Sequence, residues 1–400
     1  MQFQDSCERA PWLISRRADF WLACGGASVG ILGAIGLILL RGDRELDTLD
    51  FLLSEFHLGA TYYTVLHRRL WRRLPADVLL VPALILALTY ALSMSGQTIL
   101  LASLAMYGAI WHRGRQSLGL ARFYQRCAGG PASRTHNYLL QGAVYLPMLA
   151  ALLAYTHLAP LEYEGELYLA LDLGAEITSI VTFAATGWVI AYFVWTFSPN
   201  RFEGFTKRLT KKASEWFEKR GTNKKCSIAL ASRALRPSLL NSERRVVQLP
   251  AAATQGQSPV IHPGECWAVL AHVVAFGSGY VLGAANASFL LVLAVHHEVQ
   301  YLYFAYAMSR RAVRDQKATK NETRRAMSGS YGTALPERED GFRSELRHAA
   351  YFVVWPVIGF GGAVGGSWLA LEWFAPLGVG GLFCHYWLDG RIWTRRALAT

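Results

Sequence analysis

The run ANASFLLVLAVHHEVQYLYFAYAM, residues 285–308, is long and apolar enough to cross a lipid bilayer as one helix. Near its middle, however, stand His296, His297, Glu298 and Gln300. Polar and ionisable side chains are costly inside a membrane, and they usually face the interior of a helix bundle and serve a function there. The run therefore predicts a membrane helix that carries part of a functional site.

Similar apolar runs recur along the whole chain of 400 residues. Hydrophobic residues make up 52% of the sequence and charged residues 17%, whereas a soluble domain has about 25% charged residues. These features predict an all-α fold, a polytopic membrane helical bundle of about ten transmembrane helices. The predicted spans lie at about residues 19–40, 49–68, 77–95, 97–113, 138–157, 174–196, 265–285, 286–307, 349–371 and 373–391.

Basic clusters orient these spans. Lys and Arg follow every second span, as in HRRLWRR (67–73) and RIWTRR (391–396), whereas a loop on the opposite side reads LEYEGE (161–166). Because positive residues collect on the cytoplasmic side of a membrane, both termini are predicted to be cytoplasmic. The same clusters account for the net charge of +12, which therefore does not indicate binding to nucleic acid.

One long polar stretch divides the chain. We predict a first membrane bundle of about six spans at residues 1–200, a basic cytoplasmic loop at 201–263, and a second membrane part of about four spans at 264–400. Early in the loop, Phe, Leu and Trp are spaced among lysines, which is typical of a helix lying on an anionic membrane surface. A second cytoplasmic loop is expected at 308–347.

Four predicted spans carry a histidine with a polar residue four positions later. Residues at i and i+4 share one face of a helix, so each span presents a short polar stripe. All four spans run toward the cytoplasm, and their stripes lie in the inner half or near mid-depth. The pairs are His57 with Thr61, His112 with Gln116, His296 with Gln300, and His385 with Asp389.

These stripes predict a metal centre inside the bundle, because imidazole and carboxylate groups are the usual ligands of Fe, Zn and Cu. We expect one or two transition-metal ions, with iron preferred and zinc or copper as alternatives. Adjacent residues such as His296 and His297 point about 100° apart on a helix, so one would bind this metal and the other a second metal or a carboxylate. The predicted ligands are His57, His112, His296, His297, His385 and Asp389.

The remaining polar residues of the stripes are predicted to support these ligands. Asp389 would be a ligand itself or would orient His385 from behind. Glu298 would carry protons, bind metal or pair with an Arg of another helix. Hydrogen bonds to the ligands or to bound water are expected from Thr61, Gln116 and Gln300.

At these positions the chain resembles a group of bacterial multi-pass membrane proteins. The resemblance rests on FHLGATYYTVLHRR, WHRGRQSLGLARFYQR, HHEVQYLYFAY and HYWLDGRIWTRR, which fit the patterns HxxAT, WHxxxQxxG, HxxxQY and HYxxDxxIW. It implies a shared site and a location in the bacterial inner membrane. More distantly, the chain is similar in style to histidine-rich integral-membrane iron oxygenases, although it lacks the strict histidine-box series of membrane desaturases.

The favoured function is an integral membrane metalloenzyme, a non-haem iron oxidoreductase of desaturase or oxygenase type that acts on a lipid or another hydrophobic substrate. Its site would be reachable sideways from the bilayer. Its basic cytoplasmic face would suit an acidic electron-donor protein.

Two other functions stay open at the level of the sequence. A transporter or channel for metal ions or protons would line a path with the same residues, and Asp172 and Glu176, with Asp50 and Glu55, would extend that path outward. The outer halves of three of these spans are otherwise almost wholly apolar, which disfavours transport. A scaffold that binds partners through its loops would explain the basic loops but not the four stripes.

Overall fold

The computed structural model describes eleven stretches of the chain. They are residues 12–40, 57–62, 64–66, 69–128, 133–158, 162–163, 166–197, 261–283, 286, 289–308 and 374–392. The predicted interfacial helix, the second cytoplasmic loop beyond residue 308, and the predicted span at 349–371 lie outside the described residues.

Helices make up nearly all of the described part. In chain order they are α1 (Gly26–Leu40), α2 (residues 57–62 and 64–66), α3 (Ala76–Met94), α4 (Thr98–Cys127), α5 (Arg134–Leu158), α6 (Gly174–Phe197), α7 (Pro263–Leu282), α8 (residues 290–308) and α9 (Phe374–Ile392). π-Helical turns form Asp19–Cys24 before α1, the start of α3 (Ala76–Leu80) and the end of α7 (Gly277–Leu282). Short helical turns lie at Arg16–Ala18 and Leu70–Arg73.

One small ladder interrupts the helices. Strand β1 (Glu162–Tyr163) pairs antiparallel with β2 (Glu166–Leu167) in the acidic connection between α5 and α6. Within the described residues the prediction of an all-α fold is otherwise confirmed.

Among the described residues, four helices are long and apolar enough to cross a membrane: α3, α5, α6 and α7. The prediction of a helical membrane protein is therefore confirmed, while the number of spans and the side of the termini stay predictions. Large apolar side chains cover the outer faces of α3 and α6, where Leu84 is 60% and Phe183 is 79% exposed. Such continuous apolar faces suit contact with lipid rather than with water.

The interior of the bundle is formed around α4, α5 and α7, which pack on one another, while α9 packs on α3 and α4. The ends of these helices follow from local sequence. Gly96, with φ of 74°, makes the tight turn between α3 and α4, a conformation that favours glycine. At the start of α7, Pro263 occupies the first turn and His262 accepts a hydrogen bond from the Gly264 N–H at 3.0 Å.

Close helix packing brings α1 against α8. A Cβ atom added at Gly30 would lie 2.9 Å from the Cα of Val292, and one at Gly26 would lie 3.2 Å from the Cα of His296. Small residues permit such an approach between membrane helices. α1 therefore braces the part of α8 that carries the polar stripe.

The buried carboxylate of Asp19 joins the π-helical turn before α1 to the rest of the bundle. Asp19 is fully buried and accepts hydrogen bonds from the N–H groups of Leu13 (2.8 Å) and Ile14 (3.1 Å). It also accepts from the hydroxyls of Tyr124 (2.9 Å), on α4, and Tyr303, on α8. Four donors stabilise this charge in the interior, so Asp19 has a structural explanation.

Candidate metal centre

Four helices bring the polar stripes together. α2 supplies His57 and Thr61, α4 supplies His112, and α9 supplies His385 and Asp389. α8 adds His297 and Glu298 beside them. All of these side chains are buried, so the residues that the sequence placed on separate spans meet in the interior.

Three imidazoles converge on one carboxylate oxygen. The Oδ2 atom of Asp389 lies 3.5 Å from Nε2 of His57, 3.5 Å from Nε2 of His112 and 3.6 Å from Nε2 of His385. One ligand atom from each of the four residues lies within 4.8 Å of the others. Ligands about 2.1 Å from a shared tetrahedral centre are about 3.4 Å apart, so these spacings fit a bound metal ion.

Imidazole nitrogens without a hydrogen-bond partner in the cluster also indicate a metal site. Nε2 of His57 and Nε2 of His112 are buried and make no hydrogen bond to any described residue. Buried polar atoms without partners are rare and costly. A metal ion would satisfy both nitrogens, and the group of His57, His112, His385 and Asp389 could hold one.

The second oxygen of Asp389 is already occupied. Its Oδ1 accepts hydrogen bonds from the Thr61 hydroxyl and from the Tyr301 hydroxyl, each at 2.8 Å. These two donors fix the carboxylate plane. They leave Oδ2 as the oxygen that faces the three imidazoles.

One of the imidazoles has its tautomer set from behind. Nδ1 of His385 lies 2.9 Å from Thr61 Oγ1. Because the single hydroxyl proton of Thr61 goes to Asp389, the Thr61 oxygen accepts from the Nδ1–H of His385. In this ring the Nε2 lone pair is thereby directed at the centre, as is usual for histidines that bind metals. Nδ1 of His57 lies 2.6 Å from Oε2 of Glu298 in a close contact that lacks the alignment of a hydrogen bond.

Glu298 lies next to His57, and its pairing with an Arg stays a prediction. Its group with His57 and His297 is also compact enough to hold an ion. The 2.6 Å between Nδ1 of His57 and Oε2 of Glu298 is shorter than the roughly 3 Å between neighbouring ligands of an octahedral ion. This geometry favours one ion at the Asp389 group, with Glu298 as the support of His57.

His296 and His297 have different surroundings. The ring of His297 stacks on that of His57, with centroids 4.6 Å apart and planes at 25°, and lies 5.0 Å from the ring of His112. His296 belongs to neither compact group. It is buried where α8 approaches Gly26 of α1, and both its ring nitrogens lack a hydrogen-bond partner among the described residues. Its role as a ligand stays a prediction without geometric support.

The two predicted glutamines join α4 to α8. Gln116 Nε2 donates to the carbonyl oxygen of His297 at 2.8 Å and to Oε1 of Gln300 at 3.3 Å. Gln116 Oε1 is buried and has no hydrogen-bond partner in the described part of the chain. Both glutamines thus position the backbone beside the centre, and their direct contact with a ligand stays a prediction.

A cavity of about 550 Å³ opens beside the centre. His112 and Asp389 form part of its wall, as do Gln116, Gln300 and Tyr301. Much of the remaining wall is aromatic and aliphatic. A hydrophobic molecule in this cavity would lie against the cluster.

Two aromatic residues of the site are absent from the predicted site residues, although the motifs HxxxQY and HYxxDxxIW contain them. Tyr301 donates to Asp389, and its ring lies 3.8 Å from that of His57; Tyr386 stacks on His112 at 4.6 Å. Tyr301 follows His297 by four residues, so the same i to i+4 spacing that defined the stripes would have found it. No comparable spacing marks Tyr386, which is one residue beyond His385 and faces a different helix.

Other histidines make ordinary structural contacts. Nε2 of His136 lies 2.6 Å from Oε1 of Glu265, which also accepts from the Tyr192 hydroxyl at 2.8 Å. Nε2 of His272 donates to the carbonyl oxygen of Val144 at 2.9 Å. Both histidines thus join α5 to α7.

Two of the four residues that would extend a transport path belong to the described part of the chain. Asp172 and Glu176 are exposed where α6 begins, and Asp172 bonds the N–H of Gly174 (2.8 Å) and Nδ1 of His157 (3.0 Å). The Gly174 N–H and His157 lower the pKa of Asp172 from its usual value. Asp50 and Glu55 lie outside the described residues.

No protein-family model, curated protein or solved structure matches this chain. The resemblance suggested by the four motifs therefore stays a prediction. The interpretation of the site rests on its own geometry.

Proposed function

We propose that the protein is an integral membrane metalloenzyme, a non-haem iron oxidoreductase that acts on a lipid or another hydrophobic substrate. One observation carries the proposal: three buried imidazole nitrogens face one carboxylate oxygen at 3.5–3.6 Å beside an apolar cavity. Nitrogen and oxygen donors without thiolate suit Fe(II), and Zn(II) is the main alternative.

The metal would supply redox chemistry that no amino-acid side chain provides. Insertion of one oxygen atom into a C–H bond by dioxygen gives an alcohol and water, and it consumes two electrons and two protons besides those of the bond. An acidic electron-donor protein at the basic cytoplasmic face is the expected source of the electrons.

The protein's own residues hold and shield the site. Thr61 keeps a proton on Nδ1 of His385, so that its Nε2 atom is free to bind metal, and Glu298 contacts His57 at 2.6 Å. Aromatic walls such as Trp111, Phe304 and Phe383 would exclude water and contact an apolar substrate. Burial of the whole cluster strengthens these polar contacts.

An alternative function, transport of metal ions or protons, would use the same cluster. It needs polar groups that lead from the cluster to the outer surface. Asp172 and Glu176 are exposed where α6 begins, and Asp172 accepts a hydrogen bond from the Gly174 N–H, so they supply no such support. For this reason we favour the enzyme.

The first test is metal content. Protein purified in detergent from cells grown with iron, zinc, copper and manganese should contain about one transition-metal ion per chain by inductively coupled plasma mass spectrometry. The variant His112→Ala/His385→Ala should lose that ion, and His296→Ala should keep it. Gel filtration checks that each variant is folded. Wild-type protein without a stoichiometric metal would rule out the proposed centre.

The second test addresses the redox assignment. Metal-free protein reloaded with Fe(II) should consume oxygen in an oxygen electrode when a reductant and total membrane lipid are added, and the same protein loaded with Zn(II) should not. Binding of zinc with no oxygen uptake by the iron form would contradict the oxidoreductase and favour a hydrolytic or transport role.

A further inference from the structure

The cavity beside the centre has a charge pattern that a metal site alone does not explain. Arg115, Arg122 and Arg126 of α4 all line it. They are spaced by seven and four residues, so they share one face of the helix. Asp389 is the acidic residue among those that line the cavity, and its oxygens already face hydroxyl donors and imidazoles. Among the described residues that line the cavity, three are arginines and one is a carboxylate.

The arginines of the cavity all lie on one side of His112 along α4, where Leu120 and Phe123 also line it. At 1.5 Å per residue, Arg115 and Arg126 lie about 4.5 Å and about 21 Å beyond His112 along the helix axis. In the other direction along α4 come Trp111 and Gly108, which line the cavity together with Phe383 of α9. His112 thus stands between the arginines and Trp111.

Room for a ligand exists along the basic face. Gly119 lies between Arg115 and Arg122 and lines the cavity. A Cβ atom added at Gly119 would meet no atom within 4 Å. The backbone of α4 between Arg115 and Arg122 therefore borders open space.

We propose that the substrate is an amphipathic lipid with an anionic head group, a carboxylate or a phosphate; this inference rests on the proposed function and names its substrate class. The head group binds the face formed by Arg115, Arg122 and Arg126, because guanidinium groups bind carboxylate and phosphate oxygens in pairs. The hydrocarbon chain runs past His112 toward Trp111 and Phe383. A carbon of the chain, and not the head group, then lies at the metal centre.

Retention of basic residues on the cytoplasmic side is a simpler reason for arginines at this end of α4. That reason does not require them to share a face or to line a cavity. Arg113, on the same helix, is not among the lining residues. The orientation of the other three is what points to a ligand.

A binding measurement without turnover tests the proposal. The probe is cis-parinarate, a fluorescent 18-carbon carboxylate, bound to the detergent-purified full chain, with concentrations expressed as mole fractions in the detergent. We expect oleate to displace it at about one tenth of the concentration needed for oleyl alcohol, which has the same chain without the charge. In Arg115→Gln/Arg122→Gln this preference should disappear. Equal displacement by the two competitors, or an unchanged preference in the double variant, would overturn the proposal.

Two further variants act as controls. Arg134→Gln removes an exposed arginine at the start of α5, outside the cavity, and should leave the preference for oleate unchanged. Gly119→Leu fills the open space while keeping all the arginines, and it should weaken parinarate binding about tenfold or more. Wild-type binding by Gly119→Leu would place the probe elsewhere and refute the assignment.

The source of the anionic group is decided by a second pair of competitors. Displacement by phosphatidylglycerol but not by phosphatidylcholine indicates a phospholipid, whereas displacement by oleate alone indicates a free carboxylate. Both results support an anionic amphiphile. Since neither needs a metal, a protein that lacks metal yet shows the charge preference would refute the proposed enzyme while leaving the lipid site intact.

Discussion

At the scale of single residues, the two carboxylate oxygens of Asp389 have different roles. Oδ1 accepts from Thr61 and Tyr301, while Oδ2 faces the imidazoles. Thr61 is the more consequential donor, because it also accepts from Nδ1 of His385 at 2.9 Å. One hydroxyl therefore orients two of the proposed ligands.

Removing that hydroxyl should weaken metal binding without unfolding the protein. We expect Thr61→Val, which keeps the shape of the side chain, to lower metal affinity about 10–100-fold. Metal retained against a graded series of chelator concentrations measures the change. Thr64→Val is the matched control, because Thr64 is equally buried on α2 and donates to the carbonyl oxygen of Ala60 at 2.8 Å. Equal metal loss in both variants would contradict the role of Thr61.

Two tyrosines of α8 offer a second comparison. Tyr301→Phe removes one donor to Asp389, and we expect metal affinity to fall about tenfold, since one hydrogen bond to a charged group is lost. Tyr303→Phe removes a donor to Asp19, and we expect a loss of about 1–3 kcal/mol in stability with metal content unchanged. Chelator competition and thermal unfolding in detergent give the two readouts. If Tyr301→Phe lowered stability and Tyr303→Phe lowered metal affinity, or if the two variants behaved alike, the assignment of these tyrosines to Asp389 and Asp19 would be wrong.

The sequence predicted which helices carry the site better than it predicted individual contacts. The i to i+4 spacing places His385 and Asp389 on one face, and they do lie 3.6 Å apart. It could not decide between His296 and His297, because adjacent residues point in different directions and the packing of α1 against α8 selects which of them faces the cluster. Contacts across helices, such as Thr61 with His385, have no signal in a single sequence.

At the scale of helices, the contact between α1 and α8 positions His297. The approach is close at Gly30, whereas Gly36 of α1 has no neighbour within 4 Å of an added Cβ atom. Glycine in a helix also lowers its stability by about 0.5–1 kcal/mol relative to alanine. The lack of a side chain at Gly30 therefore permits the close packing of α1 on α8, whereas Gly36 makes no such close contact with the described residues.

These two glycines should respond in opposite ways to alanine. Gly30→Ala forces α1 away from the backbone of Val292, and we expect a loss of about 1–3 kcal/mol and a lower thermal midpoint in detergent. Gly36→Ala should keep or raise that midpoint. If both variants melt like the wild type, α1 does not pack on α8 as described.

Helix ends were harder to predict than helix positions. The predicted span 97–113 is part of α4, which continues to Cys127 and is 30 residues long. Arginine is a good helix former, so the basic segment after His112 does not end the helix. It extends α4 and turns Arg115, Arg122 and Arg126 into one wall of the cavity.

At the scale of the whole molecule, composition and run length predicted a helical membrane protein, and four helices meet the length and apolarity that a span requires. α4 is not one of them, because its second half is polar. The direction of each span is predicted from the positions of the basic clusters, and neither this direction nor the number of spans follows from helix packing. The number of spans therefore has to be measured.

Reporter fusions in a bacterial host measure it. The predicted topology places the turn at Gly96 and the connection at Glu166 outside the cytoplasm, and Ser133 inside it. Alkaline phosphatase, which is active only outside the cytoplasm, should be active when fused after Gly96 or Glu166 and inactive after Ser133; green fluorescent protein should give the reverse pattern. Equal activity after Gly96 and Ser133 would mean that α4 does not cross the membrane. The proposed centre would then lie at the membrane surface, and a substrate would reach it from the water and not from the bilayer.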